Sequence, residues 1–260
     1  MSFTTLEYSV TDGIARIVLN RPDRLNAINQ AMSLELPRVW QRFETDPEAR
    51  VAIFTGAGQR ALCTGADLLE PPETDTAQSI DSIRWTPLQN QVSKPVICAV
   101  NGMAVGGGLH FVADADIVIA ADNAWFSDPH VAVGFVSGLE PVMLARRIPL
   151  GHVLRMALMG GAERVSAVLA ERMGLVSEVV PADGLQARAL ELASAIARHS
   201  PAALARTKQA IWQSLDKGLQ ASLENAWQLI IGHTQHPDFS EGPRAFAEKR
   251  PPQWKKPGQK

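Results

Sequence analysis

The 260-residue chain lacks the features that announce several protein classes. Cysteine is scarce: Cys63 and Cys98 are the only two, neither closely spaced nor flanked by histidine. That argues against a disulfide framework or a metal site and fits a reducing, cytoplasmic setting. Charge of one sign is lacking too. The 25 Lys and Arg stand against 27 Asp and Glu, a formal net charge of -2, which argues against a nucleic-acid binder. Apolar runs are broken by Asp, Gly or His before the ~18 residues a membrane span requires. Residues 1–10, with Glu7 and no basic start, do not read as a signal peptide. The chain has no Gly-Lys-Ser/Thr end of a nucleotide phosphate loop and no Gly-x-Ser-x-Gly elbow, and Gly102 to Gly108 lacks the Gly-x-Gly-x-x-Gly order of a dinucleotide fold.

With 46% hydrophobic and 20% charged residues, the chain has the composition of an ordinary globular protein, long enough for one large domain with an appendage. Tyr8 to Val10 and Ile14 to Leu19, separated by Asp12-Gly13, predict a β-hairpin. A helix over Ala31 to Glu44 and a strand over Val51 to Thr55 follow. Glu70 to Thr76, rich in Pro, Glu and Thr, reads as a mobile loop. A buried strand over Pro95 to Val100, a helix over Leu109 to Ala113 and a strand over Ile117 to Ala120 complete an α/β core. Leu185 to Arg198, Ala202 to Leu215 and Leu219 to Ile231 are Ala- and Leu-rich helical patterns with no strand between them. No internal repeat of fixed period is visible.

Two glycine-rich corners carry the functional argument: Thr55-Gly56-Ala57-Gly58 through Cys63-Thr64-Gly65-Ala66-Asp67-Leu68, and Asn101-Gly102 through Gly106-Gly107-Gly108. Each follows a predicted buried strand and leads toward a predicted helix. Glycine there lets a main-chain N–H approach a ligand with no Cβ in the way, and two facing corners can hold one oxygen between two amides. Asp67 is placed to cap the first of these helices. Read from physics alone, a triple glycine is equally a close packing of helix on sheet.

Five segments resemble the crotonase (enoyl-CoA hydratase/isomerase) superfamily in order and approximate spacing: Asn20 to Ile28, Phe54 to Leu69, Ala99 to Gly108, Phe126 to Gly138 and Gly174 to Val180. The resemblance implies an α/β fold, a spiral of ββα units with a C-terminal helical region. It divides the chain into a core over 1–190 that binds acyl-CoA and a region over 191–260 for trimerisation and CoA contact. It also implies a homotrimer or dimer of trimers, with no cofactor beyond the CoA carried by the thioester substrate. The thioester oxygen would lie between the amides of Ala66 and Gly107. Leu25 to Ala27 would hold the adenine end of CoA, and Gly65 and Asp67 would also contact CoA. Arg24 and Lys249 would approach the phosphates, Lys249 from a basic tail in which Arg244, Lys249, Arg250, Lys255, Lys256 and Lys260 face only Glu248.

The best-known hydratases of the superfamily use two glutamates. Here His110 and His130 occupy the equivalent positions, so both usual carboxylates are replaced. Histidine transfers protons near neutral pH. Glu140, after Gly138-Leu139, offers a carboxylate from a turn that several members use, and is equally an acid at a helix N-terminus. Asp128 is placed to orient His130 or to meet solvent. His233 and His236 are expected at the surface. Met103, Phe135 and Trp85 are candidates to shape the acyl pocket. Hydration or isomerisation of an acyl-CoA is the leading activity. The alternatives are cleavage of a C–C or thioester bond, and CoA binding without catalysis.

Overall fold

A computed structural model of the chain describes residues 2–72 and 83–258. Strands β1 (Leu6–Thr11) and β2 (Ile14–Leu19) form the expected hairpin. Asp12 (φ 51°) and Gly13 (φ 82°) both take the left-handed conformation that a two-residue hairpin turn requires. Helix α1 (Gln30–Thr45) starts at Asn29, whose side chain accepts from the Met32 N–H, and buries Met32, Leu36, Val39, Trp40 and Phe43 along one face. Glu35 on the same helix is buried but satisfied: its carboxylate accepts from the N–H and hydroxyl groups of Thr4 and Thr5 at 2.6–2.9 Å, pinning the N-terminal strand.

The remaining elements are β3 (Val51–Gly56), β4 (Ala61–Cys63), β5 (Val96–Val100), β6 (Met103–Val105), α2 (Leu109–Asp114), β7 (Ile117–Ala121), β8 (Trp125–Ser127), α3 (Leu139–Leu144), α4 (Leu150–Leu158), β9 (Val165–Ser166), α5 (Ala167–Arg172), β10 (Glu178–Val180), α6 (Leu185–Ala197), α7 (Pro201–Ser214), α8 (Leu219–His233) and α9 (Pro237–Ala247). The strands form two sheets, ordered β1-β2-β3-β5-β7-β10 and β4-β6-β8-β9. The pairs β3/β4, β5/β6 and β7/β8 each send one strand to either sheet, and both sheets advance in the same order. This is a repeat, absent from the letter pattern but present in the topology.

The central strands of the larger sheet, β2, β3, β5 and β7, are buried on both faces, as their near-continuous apolar sequences require. Phe54, Cys98 and Ala120 face the principal core with α1, while Ile53, Ile97 and Ile119 face Leu185, Ala189 and Ala193 of α6. The division drawn at residue 190 thus passes through a helix that covers the sheet. Beyond it the packing changes. Helix α7 buries only Pro201 and α8 only Ser222, leaving Ile211, Leu219, Leu223, Trp227 and Ile230 exposed.

Glu70 to Pro72 form no helix or strand, and the rest of the expected loop, 73–76, lies outside the described residues. The helix expected after Ala66 is not found over Leu68 to Pro72. Asp67 caps a turn instead, its Oδ1 accepting from Leu69 N at 3.1 Å and Glu70 N at 3.3 Å. Helices α4, α5 and α9 and the five shortest strands, β4, β6, β8, β9 and β10, have no counterpart in the sequence reading. His233 and His236 are half-buried rather than open to solvent, their rings stacked at 5.4 Å, and His236 Nδ1 caps α9 by accepting from Asp238 N at 3.2 Å. Among the described residues, no helix is long and apolar enough to cross a membrane.

Candidate active site

The first glycine corner leaves β4 and the second leaves β6, which are neighbouring parallel strands. The corners touch. A Cβ on Gly65 (φ 82°) would stand 2.7 Å from Gly107 N, and one on Gly107 would stand 3.3 Å from Gly65 Cα and 3.7 Å from Ala66 N. Gly108 has the packing role that the triple glycine also allowed, since a Cβ there would meet the Cys63 carbonyl oxygen at 2.3 Å.

Main-chain bonding orients Ala66. Ile28 N donates to Gly65 O at 2.8 Å, and Asp67 N donates to Ile28 O at 2.9 Å. Because C=O and N–H oppose each other across a trans peptide, the Ala66 N–H points away from Ile28. Ala66 and Gly107 line one cavity of about 510 Å³. His110, His130 and Glu140 line it too, with apolar walls from Leu68, Trp85, Phe135, Val136 and Leu139. Trp85 and Phe135 therefore shape this space; Met103 is not among the described residues that line it.

Glu140 lies in the first turn of α3, 6% exposed, with Oε1 at 3.1 Å from His110 Nε2 and 3.9 Å from His130 Nε2. Burial alone would raise its carboxyl, but the hydrogen bond from His110 and the charge of both histidines outweigh it and hold Glu140 below the usual carboxylate range. His130 faces Asp128 with its other ring nitrogen, Nδ1 to Oδ1 at 2.7 Å. Asp128 is 1% exposed, so it orients His130 rather than meeting solvent. Its own shift is downward: burial opposes the ionised form, and bonds from His130 and from the Ser137 hydroxyl override it. An ionised carboxylate only accepts, so Nδ1 carries the hydrogen and Nε2 is the nitrogen left facing Glu140. The bond to Asp128, partly opposed by burial, raises the His130 pKa.

His110 is buried at 2% exposure on the first turn of α2, with its ring edge-on to Trp85 at 5.9 Å. It is a hydrogen-bonded core residue and a lining residue at once. Deeper on α2, Asp114 meets Thr86 Oγ1 at 2.5 Å, and burial pushes its carboxyl above the usual range. Ser137 is the participant that sequence reasoning missed; its contact spans nine residues through a turn, and no local pattern announces it.

The expected CoA contacts divide. Arg24 is exposed beside the Leu25–Ala27 loop, and Leu25 and Asn26 both adopt left-handed backbone (φ 51° and 55°). Asp67 is 5% exposed and already engaged by Arg21 at 2.9 Å, so its carboxylate is an internal partner rather than a ligand contact. Lys249 is exposed on the turn after α9, and no described contact joins it to the Arg24–Ala27 loop within one chain. The basic tail is not free. Arg250 and Arg244 converge on Glu241 at 2.6 and 2.5 Å, and Lys256 pairs with Glu48. These acids lie outside the stretch where only Glu248 was counted.

Among the described residues, no cluster of His, Cys, Asp and Glu is placed to hold a metal ion. A second cavity, of about 430 Å³, lies between α6, α7 and the segments that lead into β5 and β7. Its polar groups satisfy one another, Asp116 taking Lys208 at 2.8 Å and Trp212 Nε1 at 2.7 Å. None of the residues singled out above as catalytic or CoA-binding lines it.

Fold and site together define an α/β acyl-CoA enzyme of crotonase type, and comparison with known proteins agrees. The family model for enoyl-CoA hydratase/isomerase matches residues 9–257, and the chain belongs to that family. It is 39% identical to a mevalonyl-coenzyme A hydratase of Aspergillus fumigatus, over 94% of this chain and 92% of that relative. It is 38% identical to a 2,3-dehydroadipyl-CoA hydratase of Escherichia coli, over 92% and 94%. A solved enoyl-CoA hydratase/isomerase from Mycobacterium paratuberculosis superposes with a TM-score of 0.91 at 40% identity, covering 97% of this chain and 99% of that one.

Proposed function

We propose that the chain adds water across the double bond of a 2-enoyl-CoA, with Glu140 and His130 moving the protons and Ala66 and Gly107 receiving the thioester oxygen. One observation carries this reading: Glu140 Oε1 stands 3.9 Å from His130 Nε2, in the cavity that both glycine corners enter. As water oxygen bonds to Cβ, Glu140 accepts its proton and the C=C electron pair moves toward the thioester. The charge gathers on the carbonyl oxygen, where each fixed amide contributes roughly 3 kcal/mol. His130 Nε2 delivers a proton to Cα, and charge returns from the oxygen. His110 holds Glu140 in register from the other side.

The nucleotide end of CoA is read along Leu25 to Ala27, with Arg24 at its phosphates and Lys249 reaching them from a neighbouring copy. The exposed apolar face of α7 and α8 supports a homotrimer or dimer of trimers, since an uncovered patch of this kind is a contact surface. Sedimentation equilibrium reading a monomer at micromolar concentration would count against that assembly. A panel of enoyl-CoA and β-ketoacyl-CoA thioesters, followed by thioester absorbance and mass spectrometry, tests the reaction. Gain of one water with the thioester intact is the expected result; release of free CoA would favour thioester cleavage by the Asp128–His130 pair.

The same pair predicts a pH effect. Activity requires Glu140 ionised and His130 protonated, so the acid limb of the kcat profile follows Glu140 and the basic limb follows His130. The largest cause raising His130 is its bond to Asp128. Asp128→Asn therefore moves the basic limb to lower pH and lowers kcat about 10- to 100-fold. A profile whose basic limb stays in place would remove His130 from the mechanism.

A further inference from the structure

Arg21 joins the two segments that the proposed acyl-CoA reading places at opposite ends of the substrate. Its Nη1 donates to the Ala27 carbonyl oxygen at 2.6 Å and to Asp67 Oδ2 at 2.9 Å. The ion pair is largely shielded from water, the side chains being 13% and 6% exposed. On one side, Arg21 closes a tight loop: its N–H donates to Asn26 Oδ1 at 3.0 Å, and Asn26 N donates to Arg21 O at 2.9 Å. On the other side, Asp67 caps the turn that follows Ala66 through its second oxygen. Ala66 itself is strapped to Ile28 by the bonds at Gly65 and Asp67. A single guanidinium nitrogen thus bridges the Leu25–Ala27 loop and the residue next to the Ala66 amide.

We propose that Arg21 and Asp67 are positioning residues that convert occupation of the Leu25–Ala27 loop by the nucleotide end of CoA into placement of the Ala66 N–H at the thioester oxygen. The proposal rests on the acyl-CoA reading above. Contacts far from the reacting bond raise kcat only where a stiff connection carries them to the reacting atoms; otherwise they lower KM alone. The planar guanidinium supplies that stiffness. Its donors are fixed in direction, so a shift of the Ala27 carbonyl is felt at Asp67, and a pair this sheltered is little screened by salt.

The experiment compares kcat for one enoyl group carried on CoA and on pantetheine, which lacks the nucleotide. In the unaltered protein, the CoA thioester turns over faster by about tenfold or more. In Arg21→Gln and in Asp67→Asn this advantage falls to about unity, and Arg21→Lys keeps an intermediate ratio because it retains a cation without the fork. Asp67→Asn keeps the oxygen that caps the turn, so it stands in if Arg21→Gln fails to fold. A ratio near unity in the unaltered protein, an unchanged ratio in both variants, or an equal fall for both thioesters overturns the coupling. Gly107→Val separates the two claims: if it stays active the acyl-CoA reading itself fails, and if it is inactive while the ratio resists Arg21→Gln, only the coupling fails.

Discussion

Gly107→Val is expected to lower kcat by about 10³-fold or more while leaving the α/β core folded. A Cβ at 107 would sit 3.7 Å from the Ala66 nitrogen, in the space a shared oxygen needs, and 3.2 Å from the Trp85 ring. Trp85 has little room to withdraw, because its Nε1 donates to Ser33 Oγ at 2.9 Å and its carbonyl oxygen accepts from Trp40 Nε1 at 2.6 Å. Since the donor is main chain, no side chain at 107 can replace what the bulk removes. Gly107→Ala grades the effect, adding the Cβ without the branches. Stopped-flow turnover measured beside a thermal melt separates lost chemistry from lost fold. A valine variant within tenfold of the parent rate would remove the amide pair from the mechanism.

Glu140→Gln should lower kcat by about 10²- to 10⁴-fold, the range of a positioned proton-transfer group. Glutamine keeps the shape and the possibility of a bond to His110, but cannot take a proton from water. Stability should fall as well. Glu140 is 6% exposed with its carboxyl held below the usual range, so its ionised form contributes stability at neutral pH that a neutral isostere loses. A lower melting temperature together with the drop in kcat, measured below that melting temperature, is the expected signature. A fall in melting temperature with kcat unchanged would assign Glu140 a structural role as the anchor of His110.

Several features of the molecule are legible in the residues. Asp12-Gly13 announced its hairpin because that turn needs two left-handed residues. Helix α1 announced itself through apolar spacing, and β3 and β5 through short apolar runs closed by glycine or asparagine. Strands β4, β6, β8, β9 and β10 have three residues or fewer, too few for any period to register. The repeat hid because equivalent strands begin at Val51, Val96 and Ile117, at unequal steps. His110 and His130 were found by their neighbours in sequence. The carboxylate between them, Glu140, reads in the sequence both as the missing carboxylate and as a helix-terminal acid, because nothing local reports that α3 folds back onto α2. The tail misled for a similar reason: its charges were counted along the chain, whereas Glu48 and Glu241 reach them through space.

The placement of the two amides has a consequence of its own. Adjacent strands of any sheet run ~4.8 Å apart, and two donors that each approach one acceptor to ~2.9 Å cannot stand much farther from each other than that. Ala66 and Gly107 emerge from β4 and β6, strands that are hydrogen-bonded side by side. On the proposed reading, the backbone ladder is thus the ruler that sets the gap, whatever length of polypeptide is threaded between the two corners. Chemistry on this scaffold can diversify by exchanging the side chains around the gap, without remeasuring the gap.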